Sequence, residues 1–110
     1  FLYLPDQDFG AKDSIFVNFF GVKAATITGL GRIARLTNAQ VIPVVAARDQ
    51  SKGFRLEFHP AWENFPSNDE QADTQRMNDF IEQQVRKYPE QYFWLHKRFK
   101  TRPDGEKSLY

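Results

Sequence analysis

Near the start of the chain two carboxylates and an amide stand together, because Asp6, Gln7 and Asp8 follow the apolar run Phe1–Leu4 and Pro5. A short apolar run that stops at a proline predicts a buried strand ending in a turn. In α/β folds, ligand sites lie beyond the carboxyl ends of such strands. We therefore predict that Asp6, Gln7 and Asp8 belong to a ligand site. The alternative is that the two carboxylates cap a turn.

A second candidate site is the basic segment 97–102, KRFKTR. Its basic members are Lys97, Arg98, Lys100 and Arg102. The whole chain has a formal net charge of only +1, so this basic charge is local. Lysine and arginine beside Trp94 and Phe99 suit a membrane–water interface or stacked nucleic acid, whereas most charge runs are solvated faces. We predict that the four basic residues bind phosphate groups or an anionic membrane surface.

The chain contains two histidines, His59 and His96, so any histidine general base within the chain must be one of them. Neither has an obvious carboxylate partner in the sequence, and no G-x-S-x-G nucleophile motif is present. We interpret each as a hydrogen-bonded structural or interfacial histidine. The chain has no cysteine, which excludes a thiolate nucleophile and a cysteine-bound metal within it. We predict no metal site and no cofactor.

The segment Gly29–Ala34 matches the dinucleotide-binding pattern G-x-G-x-x-A. That pattern should open a helix directly after a strand, whereas helical periodicity here begins at Ile27. We therefore interpret Gly29 and Gly31 as helix glycines that permit close packing, although each costs up to about 1 kcal/mol relative to alanine.

Two helices are predicted around these candidate residues. Apolar periodicity predicts the first from a cap at Thr26 to an end at Asn38. The second begins at a capping-box pattern, Ser67-Asn68-Asp69-Glu70, and ends at Pro89.

Strands are predicted on both sides of the first helix. SIFVNFFGV is a short strand or an ordered loop, and the apolar run 39–47 predicts a strand covered on both faces, with an irregularity at Pro43. Alternation of Phe54, Leu56 and Phe58 with polar residues predicts its half-buried hairpin partner. We predict the α/β class, with a mixed, largely parallel sheet flanked by helices.

Several segments taken together resemble one family. They are PDQDFG, SIFVNFFGVKAAT, RIAR, VIPVV and above all PEQYFWLHKRFKTRPDG. Over nearly its whole length the chain resembles the late acyltransferases of lipid A biosynthesis, the lauroyl and myristoyl transferases of Gram-negative bacteria. The resemblance implies acyl transfer from an acyl-carrier-protein thioester to a hydroxyl on a 3-hydroxyacyl chain of a lipid A precursor. It also implies a location at the cytoplasmic face of the inner membrane, with no nucleic acid as partner.

The resemblance further implies a fold similar to that of the glycerolipid acyltransferases. PDQDFG then occupies the place of their third motif, and VIPVV, with Pro43, that of the fourth. This would assign substrate binding to Asp6, Gln7, Asp8 and Pro43.

The catalytic motif of that family, H-x-x-x-x-D/E, is absent from the chain. Asn64 stands five residues after His59, and Thr101 stands five after His96. We therefore interpret residues 1–110 as the C-terminal part of a single acyltransferase domain, with no catalytic residue of its own and inactive alone. The alternative is a non-catalytic α/β module whose basic aromatic tail binds anionic lipid or nucleic acid.

Overall fold

Two antiparallel β-hairpins and two α-helices make up the chain, and the computed structural model describes all residues 1–110. In chain order the elements are β1 (Ser14–Phe19), β2 (Val22–Ile27), α1 (Gly29–Thr37), β3 (Val44–Asp49), β4 (Gly53–Phe58) and α2 (Glu70–Lys87). Two short 3₁₀ turns follow, Pro89–Gln91 and Trp94–His96. None of the helices combines the length and the apolar character needed to cross a membrane.

The first hairpin closes through the two residues Phe20 and Gly21, whose φ angles are +51° and +73°. Positive φ at both positions matches the type I′ turn that suits the twist of a hairpin. A bulky residue rarely adopts positive φ, so tertiary contacts must hold Phe20 there. Its ring packs edge-to-face on Phe19 with centroids 4.8 Å apart, and the Arg86 guanidinium lies 4.7 Å from its centroid.

The core forms where helix α2 packs on this hairpin. Phe19, Ala24 and Val85 are buried together. Three amide side chains of α2, those of Gln71, Gln75 and Asn78, fix the alignment through hydrogen bonds to the hairpin. The Gln75 side chain accepts from the Asn18 amide at 2.7 Å and donates to the Asn18 carbonyl at 3.0 Å.

The predicted parallel sheet is wrong. Each hairpin pairs only with itself, and both ladders are antiparallel. The turns Phe20–Gly21 and Gln50–Lys52 are too short to join parallel strands, which need a crossover of about a dozen residues or more. Helix α1 does connect β2 to β3, but these two strands share no ladder.

The strand predicted for Phe1–Leu4 is also absent, and this segment is extended without a strand partner. Phe1, Leu2 and Leu4 are exposed, with 103%, 80% and 72% of their surface accessible. Apolar character indicated burial, but no other part of the chain covers these side chains.

The hairpin of β3 and β4 is confirmed, with Val44 opposite Phe58 and Ala46 opposite Leu56. The regular strand starts only at Val44, because Pro43 has no amide hydrogen to donate. Pairing continues irregularly before it, since the Pro43 carbonyl accepts from the His59 amide at 2.9 Å. The predicted burial of the run 39–47 on both faces is wrong, because Ile42 and Val44 are exposed. The predicted half-burial of the partner strand is also wrong, because Phe54, Leu56 and Phe58 are exposed.

Both helices begin later than predicted. Thr28, not Thr26, precedes the first residue of α1, because Thr26 lies in β2. In α2 the cap is Asp69, whose carboxylate accepts from the Ala72 amide at 3.0 Å. Ser67 instead donates its hydroxyl to Asp73 at 2.7 Å. The predicted ends of both helices are confirmed. Helix α1 ends with a cap at Asn38, which adopts the left-handed conformation, and α2 ends with a cap at Tyr88, directly before Pro89.

Close packing was predicted for both glycines of α1, and the structure shows it at Gly29 only. A Cβ atom on Gly29 would stand 2.8 Å from the Tyr3 hydroxyl, whereas one on Gly31 would stand 3.8 Å from the nearest Asp73 oxygen. The helix does begin directly after a strand, so the expected start at Ile27 was wrong. The tight contact at Gly29 is with Tyr3 of the same chain, so this glycine serves packing and not the binding of a dinucleotide.

We predict opposite effects of alanine at these two positions. Gly31→Ala should raise the free energy of unfolding by up to about 1 kcal/mol, since it removes a flexible residue from the helix without a clash. Gly29→Ala should lower it by about 1 kcal/mol, because the new methyl group meets the Tyr3 hydroxyl. Urea unfolding measures both values. Adding Tyr3→Phe to Gly29→Ala should recover most of the loss, and equal stabilisation by both alanines would contradict the packing argument.

Candidate functional site

The carboxylate of Asp8 ties the N-terminal loop to the C-terminal tail. It is 4% exposed and accepts from the Thr101 amide and the Thr101 hydroxyl, each at 2.8 Å. It also accepts from the Gly10 amide at 2.9 Å. These three donors all belong to the chain itself, so Asp8 acts here as an internal clamp. Its predicted role in substrate binding stays a prediction.

Arg98 lies buried next to this clamp, with 2% of its surface exposed. Its guanidinium donates to the Ala25 carbonyl at 2.8 Å and to the Thr26 hydroxyl at 2.7 Å. It also lies 5.7 Å from the centroid of the Phe19 ring. Burial lowers the pKa of Arg98, and the negative charge of Asp8 acts against that shift. The tail is thereby fixed to the edge of strand β2.

Asp6 has a different environment from Asp8, although only one residue separates them. Its side chain is 34% exposed. Its backbone carbonyl accepts from Nε2 of His96 at 3.1 Å, and its carboxylate Oδ2 lies 3.9 Å from the same nitrogen. Gln7, between the two carboxylates, is exposed. Asp6 is therefore the carboxylate of this loop that a ligand can reach.

Asp6 also lines a large apolar groove of about 970 Å³. The groove runs between the N-terminal segment 1–6, helix α1, strand β3 and helix α2, and most of its lining residues are hydrophobic. Buried Pro43 lines it too, so the structure brings two of the predicted binding residues to one place. Its volume is near the top of the range of roughly 300–1,000 Å³ that ligand pockets occupy.

The four basic residues of the tail divide into two pairs. Both arginines point inward, since the Arg102 side chain is only 11% exposed, donates to the Lys23 carbonyl at 2.7 Å and pairs with Glu106. Both lysines are exposed, and the ammonium of Lys97 lies 5.7 Å from the Tyr110 ring. Binding of phosphate or membrane by this segment stays a prediction for all four residues.

The histidines lie in separate places. His96 is hydrogen-bonded, as described, and the hydroxyl of Tyr92 lies 3.2 Å from its Nε2. His59 packs edge-to-face on Phe80, with centroids 5.0 Å apart. No group of three or more His, Asp or Glu side chains is arranged to hold a metal ion.

The sequence did not predict that Tyr92 and Thr101 lie beside the loop that carries Asp6 and Asp8. The spacing of four residues between Tyr92 and His96 was a local signal that these two side chains meet. No local signal connects Tyr92 or His96 to Asp6, which lies about ninety residues away along the chain. In the sequence, Thr101 was considered only as the non-acidic residue five positions after His96, and not as a partner of Asp8.

We predict that Arg98→Met lowers the free energy of unfolding by about 3 kcal/mol or more, because it leaves a buried carbonyl, a buried hydroxyl and a nearby carboxylate without their cation. The matched control is Lys97→Met, which removes an exposed charge and should change stability by less than about 0.5 kcal/mol. Urea unfolding of the two variants is the measurement. Equal effects would show that Arg98 is not a structural contact.

Comparison with known proteins gives a single family. The family described as bacterial lipid A biosynthesis acyltransferase matches residues 1–101. The chain is 44% identical over 110 residues to the lipid A biosynthesis palmitoleoyltransferase of Escherichia coli K12, which covers 98% of this chain and 36% of that protein. The lauroyltransferase of the same organism is 42% identical over the same shares of both chains.

A lipid A biosynthesis acyltransferase of Haemophilus influenzae is 44% identical over 105 residues, covering 94% of this chain and 32% of that protein. The chain spans about a third of the length of these curated relatives. The predicted resemblance to the late acyltransferases is confirmed. Because the family match covers nearly all of the chain, the chain belongs to the bacterial lipid A biosynthesis acyltransferases.

Proposed function

We propose that the protein containing this segment transfers a fatty acyl chain from an acyl-carrier-protein thioester to a hydroxyl on a hydroxyacyl chain of a lipid A precursor. The family match supports the reaction class and favours it over a non-catalytic binding module. The observation that carries the placement of a substrate site is the position of Asp6, a partly exposed carboxylate in the lining of an apolar groove. Such a groove suits an acyl chain, and a carboxylate in its lining suits the acceptor hydroxyl.

The reaction needs a base that the chain does not offer. As the acceptor oxygen attacks the thioester carbon, the C–O bond forms, the C–S bond breaks, and a base passes the hydroxyl proton to the departing thiolate. Nε2 of His96 is engaged with Asp6, and His59 packs against Phe80 with Asn64 where the motif needs an acid. We therefore propose that residues 1–110 alone have no transferase activity and that the base lies elsewhere in a longer chain.

We further propose that residues 1–110 are the C-terminal part of one domain with a fold like that of the glycerolipid acyltransferases. An uncovered apolar surface away from the groove supports this proposal. It is the face of β4 that carries Phe54, Leu56 and Phe58. Exposed patches of this kind mark surfaces that another part of a protein covers.

We predict that Asp6→Asn in the full-length protein lowers kcat/KM for the acceptor by about tenfold or more without changing the melting temperature, since the exposed carboxylate loses a charge-assisted hydrogen bond to the hydroxyl. Asp8→Asn should instead lower the melting temperature, because it weakens the buried clamp. Asp104→Asn, at an exposed position, is the control. Steady-state assays with acyl-carrier protein and purified acceptor give the values. Full activity of Asp6→Asn, or robust transfer by the isolated 110 residues, would contradict the proposal.

We also propose that the basic segment 97–102 holds the protein at the anionic cytoplasmic face of the inner membrane. The exposed lysines, Lys97 and Lys100, are the members with free charge, while both arginines already have partners inside the chain. Each near-surface charge contributes on the order of 1 kcal/mol of attraction. The arginines then support the segment that presents the lysines.

We predict that Lys97→Glu with Lys100→Glu weakens binding of the full-length protein to anionic vesicles by about tenfold or more at low salt, since two attractive charges become repulsive. The difference from the parent should shrink as salt rises, because salt screens exposed charges. Vesicle sedimentation across a salt series measures this. Lys12→Glu with Lys52→Glu, at two exposed turn positions, is the matched control. A loss of the same size in the control would make the effect one of net charge only.

A further inference from the structure

Tyr92 and His96 lie side by side against Asp6, in the tail segment that follows α2. Nε2 of His96 is 3.1 Å from the Asp6 carbonyl and 3.2 Å from the Tyr92 hydroxyl. The His96 side chain is 9% exposed, and its Nδ1 is buried with no hydrogen-bond partner. Nε2 of His96 is therefore directed at Asp6 and at the Tyr92 hydroxyl, and not at solvent.

These distances define where the protons lie. A carbonyl oxygen can only accept, so Nε2 of His96 carries the hydrogen that reaches Asp6. The Tyr92 oxygen can accept from the same N–H. Its own hydrogen is then free to donate to the Asp6 carboxylate, whose negative charge acts on the Tyr92 phenol.

Two further observations agree with this assignment. Burial, followed by the negative charge of Asp6, raises the pKa of Tyr92, so the phenol keeps the hydrogen that it would donate. The ring is also fixed by packing, since it lies edge-to-face against Trp94 and His96 with centroids 4.8 and 5.3 Å away. A fixed ring holds its hydroxyl in one place.

We propose that Tyr92 and His96 are positioning residues, which hold the backbone and carboxylate of Asp6 in the orientation that receives the acceptor hydroxyl. His96 does not line the groove, and Tyr92, which does, has its hydroxyl against His96. The inference rests on the proposed function, since it assigns to Asp6 a role at the acceptor site. It adds that this orientation is set from the tail of the chain, and not by the loop that carries Asp6.

The test uses the full-length protein and measures KM separately for the acceptor and for the acyl donor. Tyr92→Phe should raise the acceptor KM by about tenfold, the size of one hydrogen bond to a charged group, and leave the donor KM and the melting temperature unchanged. His96→Gln, which keeps an N–H donor, should lose less than His96→Leu. Tyr110→Phe is the matched control, because its hydroxyl bonds to the Phe99 amide and not to Asp6.

A double-mutant cycle separates this inference from the function on which it rests. If Tyr92 acts through Asp6, adding Tyr92→Phe to Asp6→Asn causes no further rise in the acceptor KM. Independent, multiplying effects of the two substitutions would overturn the positioning role, as would an unchanged KM in Tyr92→Phe beside an impaired Asp6→Asn. An unchanged acceptor KM in Asp6→Asn would overturn the proposed role of Asp6 and this inference together.

Discussion

A buried cation, the guanidinium of Arg98, is the contact on which the arrangement of the site depends. Removing an ion from water costs several kcal/mol, and only well-placed partners offset that cost. Arg98 has them in the Ala25 carbonyl and the Thr26 hydroxyl of β2, with Asp8 adding a nearby negative charge. The tail therefore cannot leave β2 without exposing unpaired groups, and the loop that carries Asp8 is fixed with it.

This constraint gives two neighbouring carboxylates different properties. Asp8 is enclosed and receives three hydrogen bonds from its own chain, so it stabilises the fold. Asp6 is one-third exposed and lines the apolar groove, and its backbone carbonyl accepts a hydrogen bond from His96. Two residues of one type, separated by a single glutamine, thus differ in exposure and in hydrogen bonding because of what surrounds them and not because of their own chemistry.

Local patterns predicted the parts of the fold that are set locally. The end of α1 at Asn38, the end of α2 before Pro89 and the β3–β4 hairpin depend on capping, on proline and on alternation within a few residues. The burial of Arg98 could not be predicted in this way, because its partners lie more than seventy residues away and a charge run does not reveal which members turn inward. Apolar runs such as Phe1–Leu4 likewise predict burial but not the segment that supplies it.

The hydrogen bonds between Asp8 and Thr101 join residues 93 positions apart, and this separation has a consequence for synthesis of the protein. A ribosome adds roughly 5–20 residues per second, so the loop with Asp6 and Asp8 emerges on the order of 5–20 s before its partners do. During that interval Asp8 has only solvent and its own turn to bind. The contacts that hold this loop are therefore made last, after the hairpins and helices have already been synthesised.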